Sequence, residues 1–239
     1  MNRLLLCEGQ TDAILLSYYL CKVCGWSYTK KPPKGYNFKG KEYNWYKLKD
    51  SEEYLLICDV GGVNNFKLFF NNNIAPSLRV SASFEKVSFI VDKDERKIED
   101  IINEFKNITT LITDLDNNNW ITNFYISDYG EEHSIKAFIL VVPSEKEGAL
   151  ETILLDSLSE HSSSDKLIVN KSCEFIDTIA PSAENYIRKK RLQLKAKLGV
   201  TFAIMSPQKV FSFIDEQIKT VEWEKSSSLS ELFSELSKI

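Results

Sequence analysis

The chain has 239 residues, 43% of them hydrophobic and 12% aromatic, enough to fill the core of one large domain and too apolar for a disordered or fibrous protein. Its formal net charge of −4 excludes a protein that coats nucleic acid by bulk electrostatics and leaves local contacts open. No apolar run approaches the length of a membrane span, and the stretch between Arg3 and Glu8 is too short for a signal-peptide core, so no membrane association and a cytoplasmic location are expected.

Residues 3–7 read as a buried strand that stops at Glu8-Gly9, and Thr11–Cys24 as a helix closed by Gly25. The cysteines are Cys7, Cys21, Cys24, Cys58 and Cys173, an odd set placed mostly in apolar segments, so reduced core thiols are expected. Cys21 and Cys24 have metal or redox spacing, but no second pair exists and His133 and His161 are distant, which favours helix packing. Residues 28–50 form a basic aromatic insertion. Lys30, Lys31, Lys34, Lys39, Lys41, Lys47 and Lys49 face Glu42 as the sole acid between Tyr28 and Lys49, with Tyr36, Phe38, Tyr43, Trp45 and Tyr46 interleaved. Lysines hold phosphates and exposed rings stack on bases; a solvated hairpin or loop explains the same composition equally well.

Tyr54–Cys58 is a second strand, ending in Asp59-Val60-Gly61-Gly62. A helix over Phe66–Phe70 fades at Asn71-Asn72-Asn73 and Pro76. Val87–Val91 is a third strand, and the spacing of Ile98, Ile101, Ile102, Phe105 and Ile108 predicts a long helix from Asp94 to about Leu115. Trp120–Ile126 and Ile135–Val142 read as two further strands joined as a hairpin, at or near a sheet edge. After Pro143, Glu147 and Glu151 are four apart, which would set both on one helix face; acids also simply favour a first helical turn. Ser162-Ser163-Ser164 marks the expected boundary, followed by helices over Cys173–Lys197, Pro207–Lys219 and a short final one after Ser226-Ser227-Ser228. The second basic run, Arg188-Lys189-Lys190-Arg191 to Lys195 and Lys197, alternates with leucines in the manner of a helix with one packed and one wet face.

Two apolar runs, Leu4–Cys7 and Phe89–Val91, end abruptly in carboxylates: Glu8, then Asp92-Lys93-Asp94. Strand-length apolar runs bury themselves in a sheet, so these acids emerge at strand carboxyl ends, where open α/β sheets bind ligands. Carboxylates brought together repel, and a hard divalent cation with oxygen ligands is the usual remedy.

A strand ending in Glu-Gly with Thr-Asp opening the next helix, followed by a strand ending in Asp-x-Asp, resembles the Toprim domain shared by topoisomerases, bacterial primases and overcoming-lysogenization-defect nucleases. The resemblance covers about residues 1–160 and is nearest to small stand-alone Toprim-like bacterial proteins of unassigned function. It implies an α/β, Toprim-like (Rossmann-like), mostly parallel sheet flanked by helices, with residues 161–239 as a helical C-terminal extension packed on the same domain. Glu8 falls on the family's acidic residue of the first strand, a metal ligand or general acid and base. Asp92 and Asp94 fall on its metal-binding aspartates. Gly148-Ala149-Leu150-Glu151 resembles a later acidic segment, so Glu151 or Glu147 would hold a second cation. Lys195 matches a late lysine that assists phosphate chemistry in the nucleases. Magnesium, or manganese, is the implied cofactor and nucleic acid the implied partner, with Lys30, Lys31, Lys39, Lys41, Arg188, Lys189 and Arg191 as candidate contacts. With no gate or primase apparatus visible, a metal-dependent nuclease or phosphodiesterase is expected. The alternatives are a non-catalytic subunit that binds nucleic acid or a protein partner, and a small-nucleotide-binding protein.

Overall fold

A computed structural model of the chain describes all residues other than 1, 32, 34–43, 82, 211 and 213. Strands β1 (Asn2–Cys7), β2 (Trp26–Thr29), β3 (Asn44–Leu48), β4 (Tyr54–Asp59), β5 (Lys86–Asp92), β6 (Ile121–Ile126) and β7 (Glu132–Val142) form one sheet in the order β2-β3-β4-β1-β5-β7-β6. The helices are α1 (Gln10–Cys24), α2 (Phe66–Phe69), α3 (Ala75–Ser81), α4 (Ile98–Lys106), α5 (Leu150–His161), α6 (Ser163–Ile179), α7 (Glu184–Ile187), α8 (Lys190–Met205), α9 (Ile214–Ile218) and α10 (Ser227–Leu232). The protein is therefore α/β, as expected. No helix among the described residues is long and apolar enough to cross a membrane.

The sheet is parallel at its centre. β1 runs parallel to both β4 and β5, with Leu6 opposite Cys58 on one side and Phe89 on the other. β7 follows β5 in the same sense, as bonds from Lys136 N to Glu85 O (2.9 Å) and from Lys93 N to Val142 O (2.7 Å) show at its two ends. Antiparallel strands lie outside: β3 on β4, β2 on β3, and β6 on β7. Buried on both faces, the central strands read as unbroken apolar runs, which is why they were legible.

Two compact units divide the chain: residues 1–91, 96–141 and 235–239, and residues 92–95 and 142–234. The first carries all of the sheet except the last residues of β5 and β7. On one sheet face, Leu4, Leu6, Leu56, Val87, Phe89, Ile135 and Ile139 meet α2, α3 and α4. Phe105 of α4 sits edge-on to Phe66 (5.0 Å between centroids) and to Phe89 (5.5 Å), so aromatic packing fixes α2, α4 and β5 together. On the other face α1 buries Leu15, Leu16 and Leu20.

In the second unit α5, α6 and α8 pack on one another. Ser157, Ser172 and Thr201, one from each helix, are almost wholly buried, and such small side chains let the helices approach closely. The division falls at Val142 instead of after residue 160, because α5 packs with α6 and α8. The serine run is a helix cap and not a linker: Ser162 Oγ accepts from Asp165 N (3.0 Å) at the start of α6.

Four predicted helices differ, and the one expected over Pro207–Lys219 is a 3-10 turn at Pro207–Lys209 followed by the short α9. The one expected over 94–115 shrinks to α4, because Asp94 sits in the left-handed region at φ 52° and Asn107 leaves the helix at its end. Ile108, Leu111, Ile112 and Leu115 are buried from irregular chain, so their spacing mimicked a helix without forming one. Asn123 supplies what a helix would have, accepting from Thr113 N (2.9 Å) and Asp114 N (2.7 Å). The helix at Phe66 continues through a wide π turn at Phe70–Ile74 into α3, and the altered hydrogen-bond spacing of that turn directly precedes Pro76, which an unbroken α-helix would not accommodate. The helix expected over 173–197 breaks between α6 and α8, in the stretch that holds Pro181.

Candidate functional site

In the first unit, β1 ends at Cys7 and Glu8 follows it, 3% exposed. Glu8 O accepts from Gly62 N (2.8 Å) and Cys7 O from Val60 N (2.9 Å), which ties the ends of β1 and β4 together. Gly61 and Gly62 have φ of 77° and 114°, angles that a side chain disfavours, so the double glycine is needed for this turn. Asp12, a buried acid to which the sequence reading gave no role, accepts from Gly9 N (2.9 Å) at the head of α1. The Thr-Asp at the start of the helix was its signal.

The second unit gathers the remaining acids. Asp92, 3% exposed, accepts at Oδ1 from Leu150 N (3.0 Å), the first residue of α5, while its Oδ2 lies 2.5 Å from Arg191 Nη2. Asp94 turns the chain in its left-handed conformation and exchanges backbone bonds with Gly148, N to O at 2.6 Å and O to N at 3.0 Å. Gly148 is demanded there twice over, since its φ is 138° and a Cβ would fall 2.2 Å from Thr152 Oγ1. That pairing brings the 143–151 segment to the end of β5.

Glu151 is the most informative acid. It is 4% exposed, its Oε1 lies 3.9 Å from Lys195 Nζ, and its Oε2 has no hydrogen-bond partner. A buried carboxylate oxygen left without a donor is costly, and such a group needs an account. Arg191 and Lys195 are four apart on α8, so they share a face about 6 Å apart along the axis. One cation meets Asp92 and the next meets Glu151. Glu147 is exposed and lies 3.7 Å from Lys190, whose nearer partner is Glu95 at 2.5 Å; both pairs are at the surface, and Glu95 was not foreseen.

The structure thus brings Asp92, Asp94, Glu147, Glu151, Arg191 and Lys195 into one unit, with Glu8 in the other. Arg191, expected as a nucleic-acid contact, is partner to Asp92. Arg188 and Lys189 are exposed, as are Lys30 and Lys31 at the end of β2, while Lys39 and Lys41 lie outside the described residues. Among the described residues no group of three or more His, Cys, Asp or Glu side chains is arranged to hold a metal ion. As it stands, Asp92 is neutralised by a guanidinium. Glu151 Oε2 is a buried carboxylate oxygen of the kind a hard cation takes as a ligand. For Cys21, burial and then the neighbouring Cys24 push the thiol up to about 11, the behaviour of a reduced packing cysteine.

A parallel-centred α/β sheet with carboxylates at strand ends, and a helix that carries their counter-charges, defines the class. Within it the chain belongs to the family described as "Protein of unknown function (DUF3226)", whose model matches residues 2–235. Among solved structures it is similar to a hypothetical protein, PH0156, from Pyrococcus horikoshii OT3, at 14% identity and a TM-score of 0.48, covering 98% of this chain and 99% of that one. A protein of unknown function from Thermoplasma acidophilum is 12% identical at a TM-score of 0.27, over 99% of this chain and 90% of the other. The cytosolic domain of L. pneumophila FeoB is 10% identical at 0.24, over 98% of each. No curated protein matches.

Proposed function

We propose that this chain is a cytoplasmic, magnesium-dependent phosphoryl-transfer protein of Toprim type, a nuclease or phosphodiesterase acting on nucleic acid. The observation that carries this reading is Glu151, a buried carboxylate with one unpartnered oxygen, beside Lys195 and one helical turn from the Asp92–Arg191 pair. Asp92, Asp94 and Glu151, not arranged around an ion as they stand, would have to close on the cation, which when bound supplies neutralisation of charge on a phosphoryl oxygen. Arg191 and Lys195 lie one turn apart on α8 and direct their donors to Asp92 and Glu151 respectively, Arg191 with the planar fork suited to phosphate. Glu8 takes its place as general acid and base from the motif.

In this reading the guanidinium yields Asp92 when a divalent ion enters. The test pairs two readouts on the folded full chain: calorimetric titration with manganese, and cleavage of labelled DNA and RNA in magnesium. Glu151→Gln and Asp92→Asn should each lose metal affinity by tenfold or more, on the order expected for a lost ligand, and Glu8→Gln should lose cleavage. A folded preparation that neither binds manganese nor cleaves either polymer refutes the reading.

The Asp92–Arg191 ion pair favours one second reading, a non-catalytic module that binds nucleic acid or a protein partner, because an acid already matched by an arginine needs no metal. Oligonucleotide binding that persists undiminished in chelator, with no cleavage, selects it.

A further inference from the structure

In the first unit, residues 235–239 form a short strap held at the amino ends of β1 and β5. Its own backbone bonds, Lys238 N to Glu235 O (3.1 Å) and Ile239 N to Leu236 O (2.9 Å), close within it. Side chains from four places catch its carbonyls: Trp120 Nε1 donates to Glu235 O (3.1 Å), Cys24 Sγ to Ser237 O (3.5 Å), Lys86 Nζ to Lys238 O and Arg3 Nη1 to Ile239 O. Leu236 and Ile239 are buried. Arg3 and Lys86 are direct neighbours across the β1–β5 ladder, and each cation lies over a tryptophan, Trp26 at 5.4 Å and Trp120 at 5.3 Å. Like charges side by side repel. Burial, and then the charge of Arg3, push Lys86 below its ordinary value. The strap's carbonyl oxygens supply part of the negative potential that such a pair attracts.

Beside the strap is a cavity of about 320 Å³, lined by Arg3, Val23, Cys24, Trp26 and Leu48 and by residues 237–239, at the small end of ligand-site volumes. Its charged side chains, Arg3 and Lys238, are both cations, and their carboxylate partners, Glu53 and Glu235, lie outside the lining. Two donors of the lining residues are unused: Arg3 Nε and Trp26 Nε1 are buried without a hydrogen-bond partner. Buried N–H groups left without acceptors are costly, and two of them at one cationic cavity call for a ligand rich in acceptor oxygens. We propose that this cavity binds a small organic anion, an acidic group on an apolar body, and that the strap competes with it for Arg3. Ile239 O stands where an oxygen of the anion accepts from the guanidinium, and Val23 and Leu48 supply apolar wall. Since both unused donors are buried as they stand, the anion gains them when the strap yields.

Calorimetric titration of the full chain with phenyl phosphate and with benzoate tests this. Arg3→Met should weaken binding by about tenfold or more, as expected for the loss of a charged donor. Trp26→Phe, which keeps a ring and removes the N–H, should weaken it too. Trp120→Phe lies outside the cavity lining and removes the donor to Glu235 O, so it should loosen the strap and tighten binding, by up to about fivefold for one hydrogen bond lost from the competing state. The Lys238 and Ile239 amides should then exchange faster with solvent. A folding defect would weaken binding and not tighten it. The proposal is overturned if the folded wild type binds neither anion at millimolar concentration, if Arg3→Met and Trp26→Phe bind as well as the wild type, or if Trp120→Phe binds more weakly.

Discussion

Asp12 and Asp92 are both buried aspartates near the start of a helix, yet they are held in opposite ways. Asp12 closes on the backbone of its own turn, accepting from Gly9 N at 2.9 Å. Asp92 accepts from Leu150 N, 58 residues along the chain, and is neutralised by Arg191 of α8. A carboxylate held by a neutral local amide keeps its charge through hydrogen bonds that form with the helix itself. One held by a distant cation depends on tertiary structure being complete. The first arrangement stabilises a turn; the second joins the end of β5, the start of α5 and the start of α8 in a single electrostatic contact.

The largest expected effect follows from breaking the distant partnership. Arg191→Met leaves the Asp92 charge buried without its counter-ion and should cost about 3 kcal/mol, the lower end for a stranded buried charge, since the Arg191 side chain is still 32% exposed. Urea denaturation at neutral pH measures it as a shifted midpoint with an unchanged slope. Adding Asp92→Asn removes the stranded charge and should recover part of the loss. A cost below about 1 kcal/mol, the range of exposed pairs, would mean that Asp92 is solvated and the contrast with Asp12 is wrong.

That contrast also marks what was legible. The parallel centre could be read because β1, β4 and β5 are continuous apolar runs, and Glu8, Asp92 and Asp94 because they interrupt such runs. Glu147, Glu151 and Lys195 were named, but that Asp92, Glu151, Arg191 and Lys195 are near neighbours was not, since it rests on the fit of Asp94 against Gly148 and on the packing of α8. No periodicity encodes which acid a basic helix will meet. The run from Arg188 to Lys197 therefore read as a wet face, whereas Arg191 and Lys195 are matched to buried carboxylates. The helix expected over 94–115 failed for a related reason. Ile108, Leu111 and Ile112 keep a helical spacing, but Asn123 takes over the backbone hydrogen bonding of the neighbouring chain.

A smaller effect is expected on the local side. Asp12→Ala removes the acceptor for Gly9 N and should cost about 1 kcal/mol, the usual worth of a helix-terminal cap. Asp12→Asn, which keeps an acceptor oxygen, should recover most of it. Denaturation midpoints of the two variants decide the matter. If asparagine is no better than alanine, the charge of Asp12 matters more than its hydrogen bond, and the two aspartates differ less than their geometry suggests.

Glu160 separates the two variables that differ between Asp12 and Asp92, partner distance and partner charge. Its partners are remote, as for Asp92, but neutral, as for Asp12: Ser226 Oγ at 3.1 Å, Ser227 N and Oγ both at 3.0 Å, and the hydroxyl of Ser228. Burial works to raise its pKa, and the hydroxyls of Ser228, Ser227 and Ser226 outweigh it, so the carboxyl is held below its ordinary 4.5. A carboxyl with a lowered folded value contributes stability above the unfolded value, and that contribution fades as pH falls through the folded one. Glu160→Gln should therefore be less stable than the wild type at pH 7, with the gap in urea midpoint narrowing only below about 4.5. The effect should be the smallest of the three, because the group is at the surface and its donors carry no charge. A gap that stays constant through the acid range would assign the contribution to hydrogen-bond geometry alone. The cost of losing a remote contact would then follow from partner charge and burial, and not from separation along the chain.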